Sequence, residues 1–67
     1  MGDQLDSRLR EARTGRNLTQ AQLAELVGVS RKTINTVENG IFVPSTVLAL
    51  RLARALGTTV ETLFVLK

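Results

Sequence analysis

The most regular pattern in the chain is a pair of short amphipathic stretches within residues 20–39. Apolar residues of the first stretch recur at helical spacing, at Leu23, Ala24 and Val27. Gly28 follows and ends this helix, because a residue without Cβ takes the positive φ of a helix C-terminus at little cost. The pattern therefore predicts a short helix that stops in a tight turn.

A second short helix is predicted after the turn. Ser30 is a natural N-cap, and Ile34 and Val37, three residues apart, form the inward stripe of this helix. Ala24 is small where the two helices would cross, and Val29 fills the corner between them. Two short helices with these features describe a helix-turn-helix.

One more helix is predicted before this pair, over about residues 4–14, with Asp3 or Asp6 near its start, where a carboxylate complements the helix dipole. Gly15 is expected to end it. Its inward residues would be Leu5, Leu9 and Ala12. Thr19 and Gln22 then have the spacing of a capping box, which predicts that the first helix of the pair begins at Gln20. In chain order the helix before the pair is helix 1, and the pair is helix 2 and helix 3.

Two more helices are predicted after Gly40, which ends helix 3. Helix 4 is expected to follow Ser45 or Thr46 and to run to Leu56, with Gly57 as its stop; helix 5 follows Thr58 or Thr59 and holds Val60, Leu63 and Phe64. Residues 65–67 would trail out. The whole chain, 1–67, is thus expected to be one all-α domain of five helices.

Composition excludes several classes of protein. A domain of 67 residues buries only about 60% of its unfolded surface and is marginally stable. Cysteine and histidine are both absent, so we expect no metal site of the usual N/S kind, no cofactor and no nucleophile–histidine pair. No apolar run approaches the ~18 residues of a membrane span, and no signal-peptide pattern opens the chain. We expect a cytosolic protein that is not an enzyme.

The charge is modestly positive, with nine Lys and Arg against six Asp and Glu. This balance favours a polyanionic partner only weakly, and the positions of the cations matter more. They fall near the N-terminus, at the start of helix 3 and on helix 4: Arg8, Arg10, Arg13, Arg16, Arg31, Lys32, Arg51 and Arg54. Such spacing can frame a basic surface around one exposed helix.

Helix 3 is expected to have a polar outer face. With Ile34 and Val37 inward, a step of 100° per residue turns Lys32, Asn35, Thr36 and Asn39 outward, with Arg31 and Thr33 at the edges. These side chains form either a solvated surface or a set of donors and acceptors for a ligand.

The central stretch resembles the Cro and phage-repressor type of helix-turn-helix, also called the xenobiotic-response-element type. The resemblance covers nearly the whole chain and rests on Gln20, Leu23, Ala24, Val27, Gly28, Val29, Ile34, Val37, Glu38, Asn39 and Gly40. It implies a lambda-repressor-like fold whose second motif helix, about residues 31–38, enters the major groove of double-stranded DNA.

The resemblance also implies roles for individual residues. It puts Arg31, Lys32 and Thr36 at base-reading positions, with Ser30, Thr33 and Asn35 close enough to assist, and Arg and Lys suit guanine O6 and N7. It implies phosphate contacts for Gln20, Arg10, Arg13 and Asn39. It also pairs Arg13 with Glu38 as a salt bridge between helix 1 and the end of helix 3.

The chain departs from its relatives after Gly40, where family members often carry Lys or Arg and this sequence has Ile41. An expected phosphate contact is lost, and an apolar set remains that a small monomer is not expected to bury. We predict that this set forms a homodimer contact: Ile41, Phe42, Val43, Val47, Leu50, Phe64, Val65 and Leu66.

The sequence therefore predicts a small homodimeric transcriptional regulator that binds a pseudo-palindromic operator and acts as a repressor. Two alternative functions remain: an antitoxin or restriction-controller type of regulator with a protein partner, and a protein-interaction module that has lost DNA binding. The alternative to the dimer contact is that Phe42 folds back into the monomer core and the other apolar residues are scattered over the surface. No second domain is evident in which a small effector could bind.

Overall fold

The computed structural model describes residues 4–67. It contains the five predicted helices and, in addition, a small antiparallel sheet of two strands. The elements in order are β1 Leu5–Ser7, α1 Leu9–Gly15, α2 Gln20–Val27, α3 Arg31–Glu38, α4 Thr46–Ala55, α5 Val60–Leu63 and β2 Phe64–Leu66. The predicted five-helix architecture is thus confirmed, with the sheet added to it.

The predicted starts of the second to fifth helices are confirmed by their caps. The Thr19 hydroxyl accepts a hydrogen bond from the Gln22 backbone N–H at 3.0 Å, and the Gln22 side-chain oxygen accepts one from the Thr19 N–H at 2.8 Å. Both halves of the capping box are therefore formed at the start of α2. Ser30, Ser45 and Thr59 cap α3, α4 and α5 in the same way, each accepting from the backbone N–H three residues on.

The turn between α2 and α3 has the predicted geometry. Gly28 lies at φ 77°, in the left-handed region, and its N–H donates to the Ala24 carbonyl at 2.9 Å. Ala24 is itself buried, and Val29 packs against the core from the turn. The largest fully buried side chains come from all five helices and hold the motif against the rest of the domain: Leu9, Leu23, Ile34, Val37, Leu52 and Leu63.

The first helix is shorter than predicted. It begins at Leu9, and Leu5–Ser7, which we expected in its first turns, form β1 instead. Asp6 lies in this strand and does not cap a helix, while the other candidate, Asp3, lies outside the described residues. Leu5 still packs partly against the core, so its inward orientation was predicted correctly although its secondary structure was not.

The end of α1 is as predicted, and the end of α4 differs by one residue. Gly15 is the last residue of α1, and the left-handed residue that then redirects the chain is Asn17, at φ 58°. Asparagine tolerates this conformation better than most residues. Helix α4 ends at Ala55, one residue early, with Leu56 as its C-cap, and the Arg16 guanidinium donates to the Leu56 carbonyl at 2.8 and 3.1 Å.

The end of the chain does not trail out. Phe64, predicted to lie in helix 5, is the first residue of β2, which pairs antiparallel with β1 so that Ser7 faces Phe64 and Leu5 faces Leu66. The prediction failed because a strand this short is stabilised by its partner, and the partner lies nearly the whole chain away. The sheet thereby joins both ends of the chain to the core.

Candidate nucleic-acid interface

Helix α3 presents its first turn to solvent. The Ser30 hydroxyl accepts from the Thr33 N–H at 3.1 Å and lies 3.0 Å from the Thr33 hydroxyl, which fixes the start of the helix. Arg31 and Lys32 follow and are both exposed. Within residues 4–67 neither forms an ion pair, so their charges are available to a ligand.

The remaining outward positions of α3 are also polar. Asn35 and Asn39 are exposed, and Thr36 is half-buried. The Thr36 hydroxyl donates to the Thr33 carbonyl at 3.0 Å, so its single proton is used within the helix and it offers a ligand an acceptor and a methyl group. The outer face predicted from the sequence is therefore assembled as a continuous polar surface.

A buried carboxylate lies behind this face. The Glu38 side chain is fully enclosed, with 0% exposed, and Arg13 contacts both of its oxygens, at 2.5 and 3.2 Å. Burial acts to raise the pKa of the Glu38 carboxyl, but hydrogen bonds from Arg13, Gln20 and Arg10 and the Arg13 charge outweigh it, so the pKa lies below its ordinary value. Glu38 is thus held as a carboxylate.

The two arginines of α1 that contact Glu38 differ in exposure. Arg13 keeps only 12% of its side chain exposed and also donates to the Leu18 carbonyl at 2.8 Å, so it ties α1 to the end of α3. Arg10 keeps 55% exposed; it lies 3.4 Å from Glu38 and donates to the Asn39 side-chain oxygen at 2.8 Å. Arg10 is therefore the better placed of the two to meet a ligand.

Gln20 connects the start of α2 to α3. Its side-chain nitrogen donates to the Asn35 side-chain oxygen at 3.2 Å and to Glu38 Oε1 at 3.0 Å. Gln20 thus braces α3 from the start of α2, as the family resemblance implies. The structure thus gathers Arg10, Arg13, Gln20, Asn35 and Asn39 around one carboxylate.

The apolar set predicted after Gly40 is largely exposed. Apart from Phe64, the exposed fraction ranges from 37% at Val65 to 76% at Ile41, with Phe42 at 48%. The other members fall between these limits: Val43, Val47, Leu50 and Leu66. Phe42 is therefore not folded into the monomer core, as one alternative had it. Phe64 is 8% exposed and belongs to that core, so its assignment to the exposed set is wrong.

A groove of about 1000 Å³ lies beside this apolar set. Val47 and Leu50 from α4 line it together with Leu5, Pro44 and Phe64, and Arg51 and Arg54 lie along the same groove. Sequence reasoning missed the contribution of Leu5, because it had assigned that residue to a helix. Leu26, exposed at 62% on α2, was also missed.

Other kinds of site find no support in this part of the chain. Across residues 4–67, no helix is long and apolar enough to cross a membrane. Among the same residues, acidic side chains do not gather in threes as metal ligands would.

Comparison with known proteins agrees with this geometry. Residues 9–63 match the family model described as helix-turn-helix. An uncharacterised HTH-type transcriptional regulator of Methanothermobacter thermautotrophicus is 51% identical over 59 residues, which cover 87% of this chain and 86% of that protein.

Two solved structures share the fold. The restriction-modification controller protein C.AhdI from Aeromonas hydrophila superposes with a TM-score of 0.76 at 42% identity, over 81% of this chain and 82% of its own. The P22 c2 repressor, in complex with synthetic operator 9T, superposes with a TM-score of 0.78 at 31% identity, over 81% of this chain and 82% of its own.

Proposed function

Because the chain belongs to the helix-turn-helix family of the Cro and phage-repressor type, we propose that it regulates transcription by binding specific double-stranded DNA as a homodimer. The observation that carries the proposal is the exposed polar face of α3, held from behind by the buried carboxylate of Glu38. A major groove is wide enough for one α-helix and presents a different pattern of donors and acceptors for each base pair.

Base recognition is assigned to the first turns of α3. Arg31 and Lys32 are exposed, unpaired cations within the described chain and suit guanine O6 and N7, which favours an operator with guanine in each half-site. Thr36 offers its methyl group and its acceptor, and Ser30, Thr33 and Asn35 lie close enough to assist.

Phosphate contacts are assigned to the residues that flank α3. Arg10 and Asn39 are exposed and bonded to each other, and the start of α2 at Gln20 has backbone N–H groups of the kind that favour an anion. Arg13, which is mostly enclosed, supports Arg10 by holding the carboxylate that both arginines share. These contacts would supply affinity and orientation, while α3 supplies sequence preference.

The exposed apolar surface supports homodimerisation. Two copies that meet through Val47 and Leu50, with the adjoining loop residues Ile41, Phe42 and Val43, would remove this surface from water at roughly 25 cal/mol per Å². Val65 and Leu66 extend the same surface from β2. A two-fold dimer would place its recognition helices about one DNA turn apart, ~34 Å, and would read a pseudo-palindromic operator.

Repression is the regulatory outcome we propose, because the P22 c2 protein, a repressor, superposes over most of the chain. A second candidate, a restriction-controller regulator, is favoured by the 42% identity to C.AhdI over 82% of that protein.

The test is selection of bound sequences from random duplex DNA at two salt concentrations. We expect enrichment of a two-fold symmetric sequence, and log affinity should fall with log salt by roughly 0.9 per phosphate contact. An Arg31→Ala, Lys32→Ala double variant is the control, since it should bind without enriching that sequence. Absence of specific enrichment by the wild-type protein would contradict the proposal and favour a protein-interaction module.

A further inference from the structure

The buried carboxylate of Glu38 and four polar side chains form a closed ring of hydrogen bonds. Arg10 Nε lies 3.4 Å from Glu38 Oε1, and Gln20 Nε2 donates to the same oxygen at 3.0 Å. Gln20 Nε2 also donates to Asn35 Oδ1 at 3.2 Å, and Asn39 Nδ2 lies 3.4 Å from that oxygen. Arg10 Nη2 closes the ring by donating to Asn39 Oδ1 at 2.8 Å.

The two charged members of this ring determine which way each amide points. Arginine can only donate, and an ionised carboxylate can only accept. Arg10 therefore requires the oxygen of Asn39 on its own side, which turns the Asn39 nitrogen toward Asn35. Glu38 requires the nitrogen of Gln20, so Asn35 meets a donor from each neighbour and must face both with its oxygen.

Two amides are left with only one kind of hydrogen-bonding group. Both protons on Gln20 Nε2 are engaged, one with Asn35 and one with Glu38. Asn35 Oδ1 accepts two hydrogen bonds, which uses both of its lone pairs. Asn35 is exposed, and its Nδ2 has no partner among residues 4–67, so two N–H donors remain there.

From this ring we infer that Asn35 acts toward DNA only as a hydrogen-bond donor, and so binds an acceptor, either the O6/N7 edge of guanine or a phosphate oxygen. Asparagine recognises adenine by accepting from N6–H and donating to N7 at once, which needs the oxygen that the ring already occupies. Arg31 and Lys32 are donors as well. These three donors of α3 would therefore select acceptor-rich DNA edges, and Asn35 would discriminate against adenine at the position opposite it.

The same ring changes how the start of α2 can meet a phosphate. With both amide protons engaged, the Gln20 side chain offers an anion only its acceptor oxygen. A phosphate contact there falls to the backbone N–H groups of the first turn of α2. This inference rests on the proposed DNA-binding function, whereas the ring itself is testable on the free protein.

The ring is tested by amide exchange of side-chain NH2 groups in solution NMR, without DNA. The Gln20 protons should exchange at least about tenfold more slowly than those of Gln22, an exposed glutamine on the same helix whose NH2 makes no hydrogen bond in the described chain. Equal exchange rates for the two glutamines would show that the ring is absent and would overturn the inference, whatever the protein binds.

The donor role is tested by repeating the selection from random duplex DNA with Asn35→Ala. A guanine contact predicts that a preference for guanine over adenine of about tenfold disappears at one position in each half-site. A phosphate contact predicts an affinity loss of similar size that is uniform over all sequences, with a smaller salt dependence. Gln4→Ala, an exposed amide outside the ring, is the matched control and should change neither.

Two results would overturn the inference even if DNA binding is established. One is an adenine preference in the wild-type selection that Asn35→Ala abolishes, because it would require the Asn35 oxygen to leave the ring. The other is an Asn35→Ala variant with unchanged preference and unchanged affinity. A wild-type protein that enriches no sequence would instead count against the proposed function, and the exchange experiment would still test the ring.

Discussion

Replacing Glu38 with Gln should weaken the domain more than any other single change of charge. Glu38 is fully enclosed, and Arg13, which contacts both of its oxygens, is only 12% exposed. Glutamine keeps the shape of the side chain but removes the charge and turns one acceptor into a donor that faces arginine donors. The substitution therefore leaves the Arg13 cation enclosed without its counter-ion.

The size of the effect follows from this burial. Removing one partner of a buried ion pair costs about 3 to 5 kcal/mol, and since one amide oxygen still accepts, we expect roughly 2 to 4 kcal/mol here. The Arg10 pair adds little, because Arg10 is 55% exposed. The free energy of unfolding of a domain of this size is about 3 to 10 kcal/mol, and each kcal/mol of lost stability lowers the melting temperature by about 4 to 8 °C. The variant should melt at least roughly 8 °C lower.

The pH dependence gives an independent measure of the same carboxylate. The pKa of Glu38 is lower in the folded protein than its ordinary value, so its stabilisation is fully present above the unfolded-state pKa of about 4.3. That stabilisation is lost as the pH falls through the lower, folded-state pKa. The wild-type melting temperature should therefore fall in this acidic range, and Glu38→Gln should remove that part of the decline.

The assay is thermal unfolding followed by circular dichroism from neutral to acidic pH. Glu25→Gln, which changes an exposed carboxylate on α2, is the matched control and should melt as the wild type does. A Glu38→Gln variant that melts within about 3 °C of the wild type, or retains its full acidic decline, would refute the reasoning.

Three further predictions concern base readout, helix packing and assembly. Arg31→Ala should cost about 1 to 3 kcal/mol on the selected operator and relax preference at one base pair per half-site; retention of the full preference would contradict a base contact. Ala24→Leu should force α2 and α3 apart at ~1 to 3 kcal/mol and lower melting temperature and DNA affinity together, whereas an unchanged melting curve would count against this crossing. In sedimentation, the wild type should be a dimer at tens of micromolar and the Val47→Glu, Leu50→Glu double variant a monomer; a monomeric wild type, or a double variant that dimerises equally well, would exclude this interface.

Much of the helical architecture could be predicted because its signals are local. The starts of α2 and α3 are marked by capping hydrogen bonds that span three residues, at Thr19 with Gln22 and at Ser30. The turn is marked by Gly28, whose backbone readily takes a positive φ. Amphipathic spacing likewise indicated the inward Ile34 and Val37 of α3, both of which are buried. Each of these features depends on neighbours that lie within one helical turn.

Predictions failed where an element depends on distant partners. Leu5 and Phe64 have apolar character that fits a helix end as well as a strand, and only their pairing across the two ends of the chain decides for the strand. The same pairing buries Phe64 in the monomer core and takes it out of the apolar set proposed for the dimer. Asn17 takes a left-handed conformation that no local sequence pattern had indicated.

The sequence by itself determined the five helices, the turn of the motif and the polar outer face of α3, because propensity, capping and periodicity act within a few residues. Only the tertiary structure decided which hydrogen bonds the side chains on that face form within the protein. Arg10, Gln20, Asn35 and Glu38 come from three helices, and the direction of each hydrogen bond among them depends on which donor and which acceptor the packing brings together. Residue types along the chain specify what a side chain can donate or accept, and the fold determines which of those groups remain for a ligand.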